Sequence, residues 1–298
     1  MNVDKAKGFL AKAGFLMAFV LAFALVDFGL ARACPKVFMD GGYTLNDYEI
    51  TVRDHGGSTS FDKAIFGSSN VISDYREDAS TSGYANMGIA YGVISDLKSM
   101  LEGGYIDIES ELVVGVSYLS FYDEFDTNPN YPWHRLPLEP YCYFERDRLS
   151  QMVRTTAGNF VGLDFTPEAI TDEKFTVVGK MTPEELDAAV ARHEELYWRL
   201  PSEKFEKNLQ ALQDVADWCT ENNVRLRAVW MPWNPDVRHP QIAQVVENAA
   251  NEVFSRNGIE VLDLSDEFGA ECFYDVGHLS HDFGAYRFVE VIDPWLNS

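Results

Sequence analysis

The sequence predicts an α/β fold: three layers, α/β/α, on a roughly five-stranded parallel sheet, with one N-terminal transmembrane helix outside it. Three observations carry this. Five short apolar runs interleave with stretches of helical periodicity, residues 112–116 (LVVGV) form an apolar run of the kind a strand shows when both its faces are covered, and a long uncharged apolar run follows a lysine cluster near the start of the chain.

The first element is that N-terminal segment, residues 1–33. Lys5, Lys7 and Lys12 precede an unbroken apolar run over residues 13–26 (AGFLMAFVLAFALV). Lysines on its amino side place that end in the cytoplasm and everything after it outside. As a membrane anchor the run continues through Asp27 to Ala31, giving 19 residues or about 28 Å at ~1.5 Å per residue, with Asp27 near the interface where a charge costs little. As a signal peptide, the 14-residue run is the apolar region and Ala31-Arg32-Ala33 before Cys34 resembles a cleavage site. The anchor is the reading adopted: a single pass with an extracytoplasmic C-terminal domain, secretion after cleavage being its alternative.

Residues 34–60 are polar and glycine-containing and read as a juxtamembrane segment and loop. A domain over residues 61–298 follows. Its first strand lies around residues 64–66 and ends in Gly67-Ser68-Ser69; a helix is expected over 70–78, a second strand over 85–89, a helix over 94–101 and the third strand over 112–116. Residues 117–201 break the alternation and read as an insertion. Within it Thr182-Pro183-Glu184-Glu185 is a capping box with proline at the first helical position, opening a glutamate-rich helix to about Trp198 that reads as a solvated face. The alternation then resumes. Phe205, Leu209, Leu212, Val215, Ala216 and Cys219 recur at helical spacing, residues 224–231 form a fourth strand, 242–254 a helix and 259–264 a fifth strand.

Composition bounds the function. Of 298 residues, 47 are acidic and 24 basic, a net charge of −23 that repels polyanions and excludes nucleic acid as a partner. Residues 1–33 carry four basic and two acidic side chains, so the remainder holds −25. The four cysteines, Cys34, Cys142, Cys219 and Cys272, show no metal-ligand spacing; outside the cytoplasm they allow one or two disulfides, and buried thiols at Cys219 and Cys272 fit equally. His278, His281, Asp275 and Asp282 lack a zinc signature, no nucleotide-binding glycine motif follows a strand, and His55-Gly56-Gly57 without a G-x-S-x-G elbow is a loop. No metal and no cofactor is expected.

In an open parallel sheet, ligands bind beyond the carboxyl ends of the strands. Gly67-Ser68-Ser69-Asn70 follows the first strand, Asn86 to Gly92 runs through the end of the second, and Asp275-Val276-Gly277-His278 lies beyond the last. A serine hydroxyl becomes a nucleophile when an imidazole takes its proton, and the imidazole must be oriented by a carboxylate. Asp275 and His278 are close enough in sequence for one loop to make that second contact.

These three blocks resemble those of the SGNH (GDSL-like) hydrolase superfamily, over roughly residues 61–291. With the N-terminal anchor, the Gly-Ser-Ser form and Gly284-Ala285 after the last block, the chain is most similar to the envelope acyltransferase branch that includes the D-alanyl transfer protein of teichoic-acid D-alanylation and the alginate O-acetyltransferases. The resemblance implies a flavodoxin-like fold with Ser69 as nucleophile, His278 as base, Asp275 as its orienter, and the backbone N–H groups of Ser69 and of Tyr91 or Gly92 as oxyanion hole. The family's Gly-x-Asn-Asp block has no counterpart: the chain reads Gly115-Val116-Ser117-Tyr118 there, leaving Ser117 or Tyr118 to substitute. Asn70, Ser117, Tyr118, Trp233 and Asn234 are the expected cleft residues. The implied function is a serine acyltransferase or esterase acting on D-alanyl or acetyl esters of an envelope polymer, with a membrane-bound O-acyltransferase as donor partner. A partner-free carbohydrate or lipid esterase and a degenerate scaffold protein of an envelope complex are the alternatives.

Overall fold

The computed structural model describes residues 3–33, 45–129, 131–134, 157–158, 160–162 and 173–298. Backbone contacts divide the chain into two compact units, residues 1–45 with 134–172, and residues 46–133 with 173–298. Cys34, Cys142 and much of the expected insertion lie outside the described residues.

In the first unit, α1 (Val3–Ala33) is one continuous helix. It is long and apolar enough over Lys12–Gly29 to cross a membrane. Phe15, Met17, Leu21 and Leu25 are all exposed, a stretch of apolar side chains that aqueous solvent does not support.

The second unit carries the sheet. It starts earlier than residue 61, with α2 (Asp47–Asp54) inside the stretch that reads as a juxtamembrane loop. Asn46 caps it: the side chain accepts from the Glu49 N–H at 2.9 Å while Glu49 accepts from the Asn46 N–H at 3.0 Å, a reciprocal cap built from a polar stretch that hides it from hydrophobic periodicity.

The strands are β1 (Ser60–Gly67), β2 (Ala85–Asn86), β3 (Asp107–Val116), β4 (Arg225–Trp230) and β5 (Glu260–Asp263), all parallel, in the order β2-β1-β3-β4-β5. This is the flavodoxin-like doubly wound order. The chain leaves β1 toward one side of the sheet and β3 toward the other, so the crevice beyond β1 and β3 is the switch point. β2 has only two ladder residues, yet Met87 and Ile89 continue to donate to the carbonyls of Ile65 and Gly67 at 2.8 and 3.0 Å.

Side chains alternate between two cores, as a strand's period of two requires. Ala64, Phe66, Leu112, Val114, Ala228 and Trp230 pack with α4 (Ile94–Glu102), α6 (Glu206–Glu221) and α7 (Gln241–Arg256). Ile65, Val113 and Val229 pack with α3 (Ser69–Asp74) and α8 (Gly284–Leu296). α5 (Pro183–Leu196) has no buried residue and belongs to neither core.

Two more helices differ from expectation. α3 stops at Asp74 rather than 78 because Tyr75 turns extended and the Asn86 amide takes the carbonyls of Val71 and Tyr75 at 3.0 and 2.7 Å. α8 was not anticipated, although Ala285, Phe288, Val289, Ile292 and Leu296 have the spacing of one buried face. Gly284 opens it against the opposing chain, where a Cβ would stand 2.0 Å from the Cys272 carbonyl oxygen.

Candidate active site

Ser69 owes its position to a tight strand-to-helix turn. A Cβ on Gly67 would stand 2.3 Å from Val71 Cγ2 and 2.6 Å from the Gly115 carbonyl, so only glycine lets β1 turn into α3 while lying against β3. Ser68 is the N-cap and Ser69 the first helical residue. The first helical bonds run from the Val71 and Ile72 N–H groups to the Ser68 carbonyl at 3.0 and 3.3 Å, so the N–H groups of Ser69 and Asn70 precede the helical ladder.

The loop after β5 brings the other two groups to it. His278 Nε2 lies 2.8 Å from Ser69 Oγ, across 209 residues of sequence. His278 Nδ1 lies 2.9 Å from Asp275 Oδ2. Asp275 Oδ1 accepts the backbone N–H groups of Gly277 and His278 at 3.0 and 2.9 Å, so the carboxylate that orients the imidazole also shapes the loop carrying it. Burial pushes the Asp275 carboxyl up, but the hydrogen bond and charge of His278 and the two backbone N–H groups outweigh it and hold it below the usual carboxylate range.

Five hydrogen bonds from four residues clamp this loop. Asn234, buried below β4, donates from Nδ2 to the Asp275 carbonyl at 2.8 Å and from its backbone N–H to the Val276 carbonyl at 3.1 Å. Asn70 donates to the Gly277 carbonyl. Ser73 donates to the Leu279 carbonyl at 3.0 Å, and Leu279 N–H donates to Asp74 at 2.9 Å. The second oxygen of Asp74 is buried without a partner, and burial above all holds this carboxyl well above the ordinary range, with the Asp275 charge adding to the shift.

The hydroxyl opens into a cavity of about 560 Å³. Of the expected cleft residues, Asn70, Ser117 and Trp233 line it, together with Ser69 and Tyr91. Tyr91 has φ +58°, a left-handed conformation unusual for a side chain of its size, and its ring leans on Phe125 at 5.5 Å.

Three expected residues have other roles. Gly92 N–H donates to the Ile89 carbonyl at 2.9 Å and is therefore not available as an oxyanion donor. Asn234 is 1% exposed and holds the Asp275 loop instead of lining the cleft. Tyr118 is fully buried, its ring 6.0 Å from Trp233 and its hydroxyl without a partner. Burial is the main cause raising the Tyr118 phenol above its usual range.

Sequence reasoning missed the far wall. Ala188, Ala189, Arg192, His193 and Leu196 of α5 face the cavity, whereas this helix reads as a solvated surface. The signal was present: small and apolar residues recur at helical spacing among the glutamates. Phe175 packs edge-on against His278 with ring centres 5.5 Å apart. Burial pushes the His193 imidazole down, against the pull of Asp275 and with that of His278 and Arg192, and its buried Nδ1 has no partner. His281 and Asp282 do not join His278: Asp282 accepts the Gly179 N–H at 3.0 Å, and no group of metal-ligating side chains occurs among the described residues. Cys219 and Cys272 are buried free thiols.

No family model matches the chain. Curated proteins similar to part of it include foldase protein PrsA 1 of Listeria monocytogenes serovar 1/2a (strain EGD-e) and of serotype 4b (strain F2365), each 27% identical over 143 residues, 42% of this chain and 47% of the relative. The chain spans about half the length of the curated relatives it matches.

Proposed function

We propose that this protein is a membrane-anchored serine acyltransferase or esterase of SGNH type, working outside the cytoplasm on acyl esters of an envelope polymer. The observation that carries the reading is the hydrogen-bonded chain Ser69 Oγ to His278 Nε2 and His278 Nδ1 to Asp275, at 2.8 and 2.9 Å, opening into a cavity.

In this reading Ser69 Oγ attacks the acyl carbonyl as His278 Nε2 takes the hydroxyl proton. Asp275 stabilises the imidazolium that forms and keeps Nδ1 protonated in the resting tautomer. The carbonyl oxygen gathers negative charge between the N–H groups of Ser69 and Tyr91. The bond to the leaving alcohol breaks as His278 returns the proton to it, leaving an acyl ester on Ser69. An acceptor hydroxyl or water then repeats the sequence in reverse, its proton going to Nε2 and then to Ser69 Oγ. With no asparagine in the place of the missing third block, the oxyanion hole has two backbone donors; one donor of this kind is worth about 2.7–4 kcal/mol of transition-state stabilisation.

α1 supports attachment to a membrane. A membrane-bound O-acyltransferase as donor belongs to the transfer reading, and an esterase needing no partner to the hydrolytic one. The partial likeness to foldases raises a second reading, assistance of folding without an acyl-enzyme. A fluorophosphonate probe separates them: the purified full chain is expected to be labelled on Ser69, and Ser69→Ala to abolish labelling. Absence of labelling in the wild type, or equal labelling of Ser69→Ala, defeats the serine-enzyme reading.

A further inference from the structure

The cavity beside Ser69 is much larger and less polar than a site for a small or charged acyl group. An apolar cavity of ~150 Å³ suffices for a benzene ring, and this one is about 560 Å³, several times what an acetyl group fills. Leu119, Phe125, Phe175, Ala189, Leu196 and Trp233 contribute its apolar lining. The charges present are the wrong ones for a cationic aminoacyl group. Among the described lining residues, the one carboxylate is Asp275, already held by His278, while Arg192 supplies a guanidinium. An ammonium entering here would lose water, find no free carboxylate and face a like charge.

The wall built by α5 is the second half of the argument. A helix that buries no residue in either core, yet presents two alanines to the cavity beside the nucleophile, leaves volume that larger side chains would fill. α5 forms one wall of this cavity, whose rim at Leu196 and Phe175 stays open to solvent.

We propose that the acyl group Ser69 accepts is uncharged, hydrophobic and longer than acetyl, and that Ala189 of α5 sets how long a chain the cavity takes. This rests on the serine-enzyme reading above and narrows its substrate class. Each buried methylene contributes about fourfold in kcat/KM until the cavity is filled.

The test uses the full chain in detergent with p-nitrophenyl acetate, hexanoate, octanoate and D-alaninate. The expected order is octanoate and hexanoate well above acetate, by at least about tenfold in kcat/KM, with D-alaninate below acetate. Ala189→Phe is expected to lower the octanoate-to-acetate ratio at least about tenfold, with fluorophosphonate labelling of Ser69 in that variant showing that the site is still assembled. Acetate or D-alaninate as the best substrate overturns the proposal while leaving the serine-enzyme reading intact. So does a ratio unchanged in an Ala189→Phe protein that still labels. Failure of the wild type to label or turn over any ester instead brings down the serine-enzyme reading, and the proposal with it.

Discussion

Arg227 and Asp275 are both charged groups taken out of water by the same sheet, yet the chain treats them in opposite ways. Arg227 lies in the first half of β4 with no exposed surface, and all five of its N–H groups have partners. Glu111 takes Nε–H, the Trp295 carbonyl and Ser298 hydroxyl take Nη1 at 2.7 and 3.5 Å, and the Tyr84 hydroxyl and Leu296 carbonyl take Nη2 at 2.8 and 3.1 Å. The guanidinium therefore ties the last turn of α8 to β3 and β4. At the carboxyl ends, Asp275 and His278 keep about a fifth of their side chains exposed, and the chain of hydrogen bonds ends on a hydroxyl facing a cavity. A closed polar network holds elements together. An open one leaves its last member available to react.

The sharpest way to test this contrast is to break each network and ask which property fails. Ser69→Ala removes the reactive end and is expected to lower kcat by on the order of 10⁶ with the urea midpoint unchanged. Arg227→Leu should do the reverse, costing about 3–5 kcal/mol in chemical denaturation because buried Glu111 loses its close partner and keeps only the longer ion pair to Arg225 at 3.9 Å, while kcat/KM of the folded fraction stays near wild type. Adding Glu111→Leu should restore much of that loss. A catalytic defect in Arg227→Leu at full stability would show that the two networks are not separate.

How much of this was legible beforehand follows the same division. The strands, their parallel arrangement and the residues that meet as Ser69, Asp275 and His278 are readable because each rests on local pattern: apolar runs, a Gly-Ser-Ser turn, an Asp-x-x-His loop at a strand end. What escapes is set by pairings across the chain. Arg227 in a strand has no local signal that Glu111 lies one strand away. Asn234 reads as a cleft residue because it sits at a strand end, and only the approach of residues 275–277 makes it a clamp. α5 reads as solvated because most of its surface is, and its small cavity-facing stripe acquires meaning only from what it covers.

Asn234 is the next, smaller test, since it joins the open network to the closed interior. Asn234→Ala deletes the bond to the Asp275 carbonyl and the one its Oδ1 accepts from Asp236 N–H at 3.0 Å. Loosening the loop displaces His278 relative to Ser69, and a misplacement on the order of 1 Å costs up to about 10²-fold in rate. The expected outcome is a fall of about 10- to 100-fold in kcat with KM little changed. A raised KM at constant kcat would return Asn234 to the role of substrate contact.

The smallest expected effect belongs to Asp74, the one member of the loop clamp whose carboxyl is only half satisfied. Its folded-state value is raised above that of the unfolded chain, so the native state holds this proton more tightly. The stability it contributes is full below the ordinary carboxylate range and is lost as pH rises toward the raised value. Asp74→Asn keeps an oxygen to accept the Leu279 N–H and removes the titration. Urea midpoints measured from pH 4 upward should therefore fall less steeply in Asp74→Asn than in the wild type, so that the variant gains relative to it as pH increases. Parallel pH profiles would mean that Asp74 is ionised in the folded protein and that the clamp on the His278 loop already tolerates a buried charge beside Asp275.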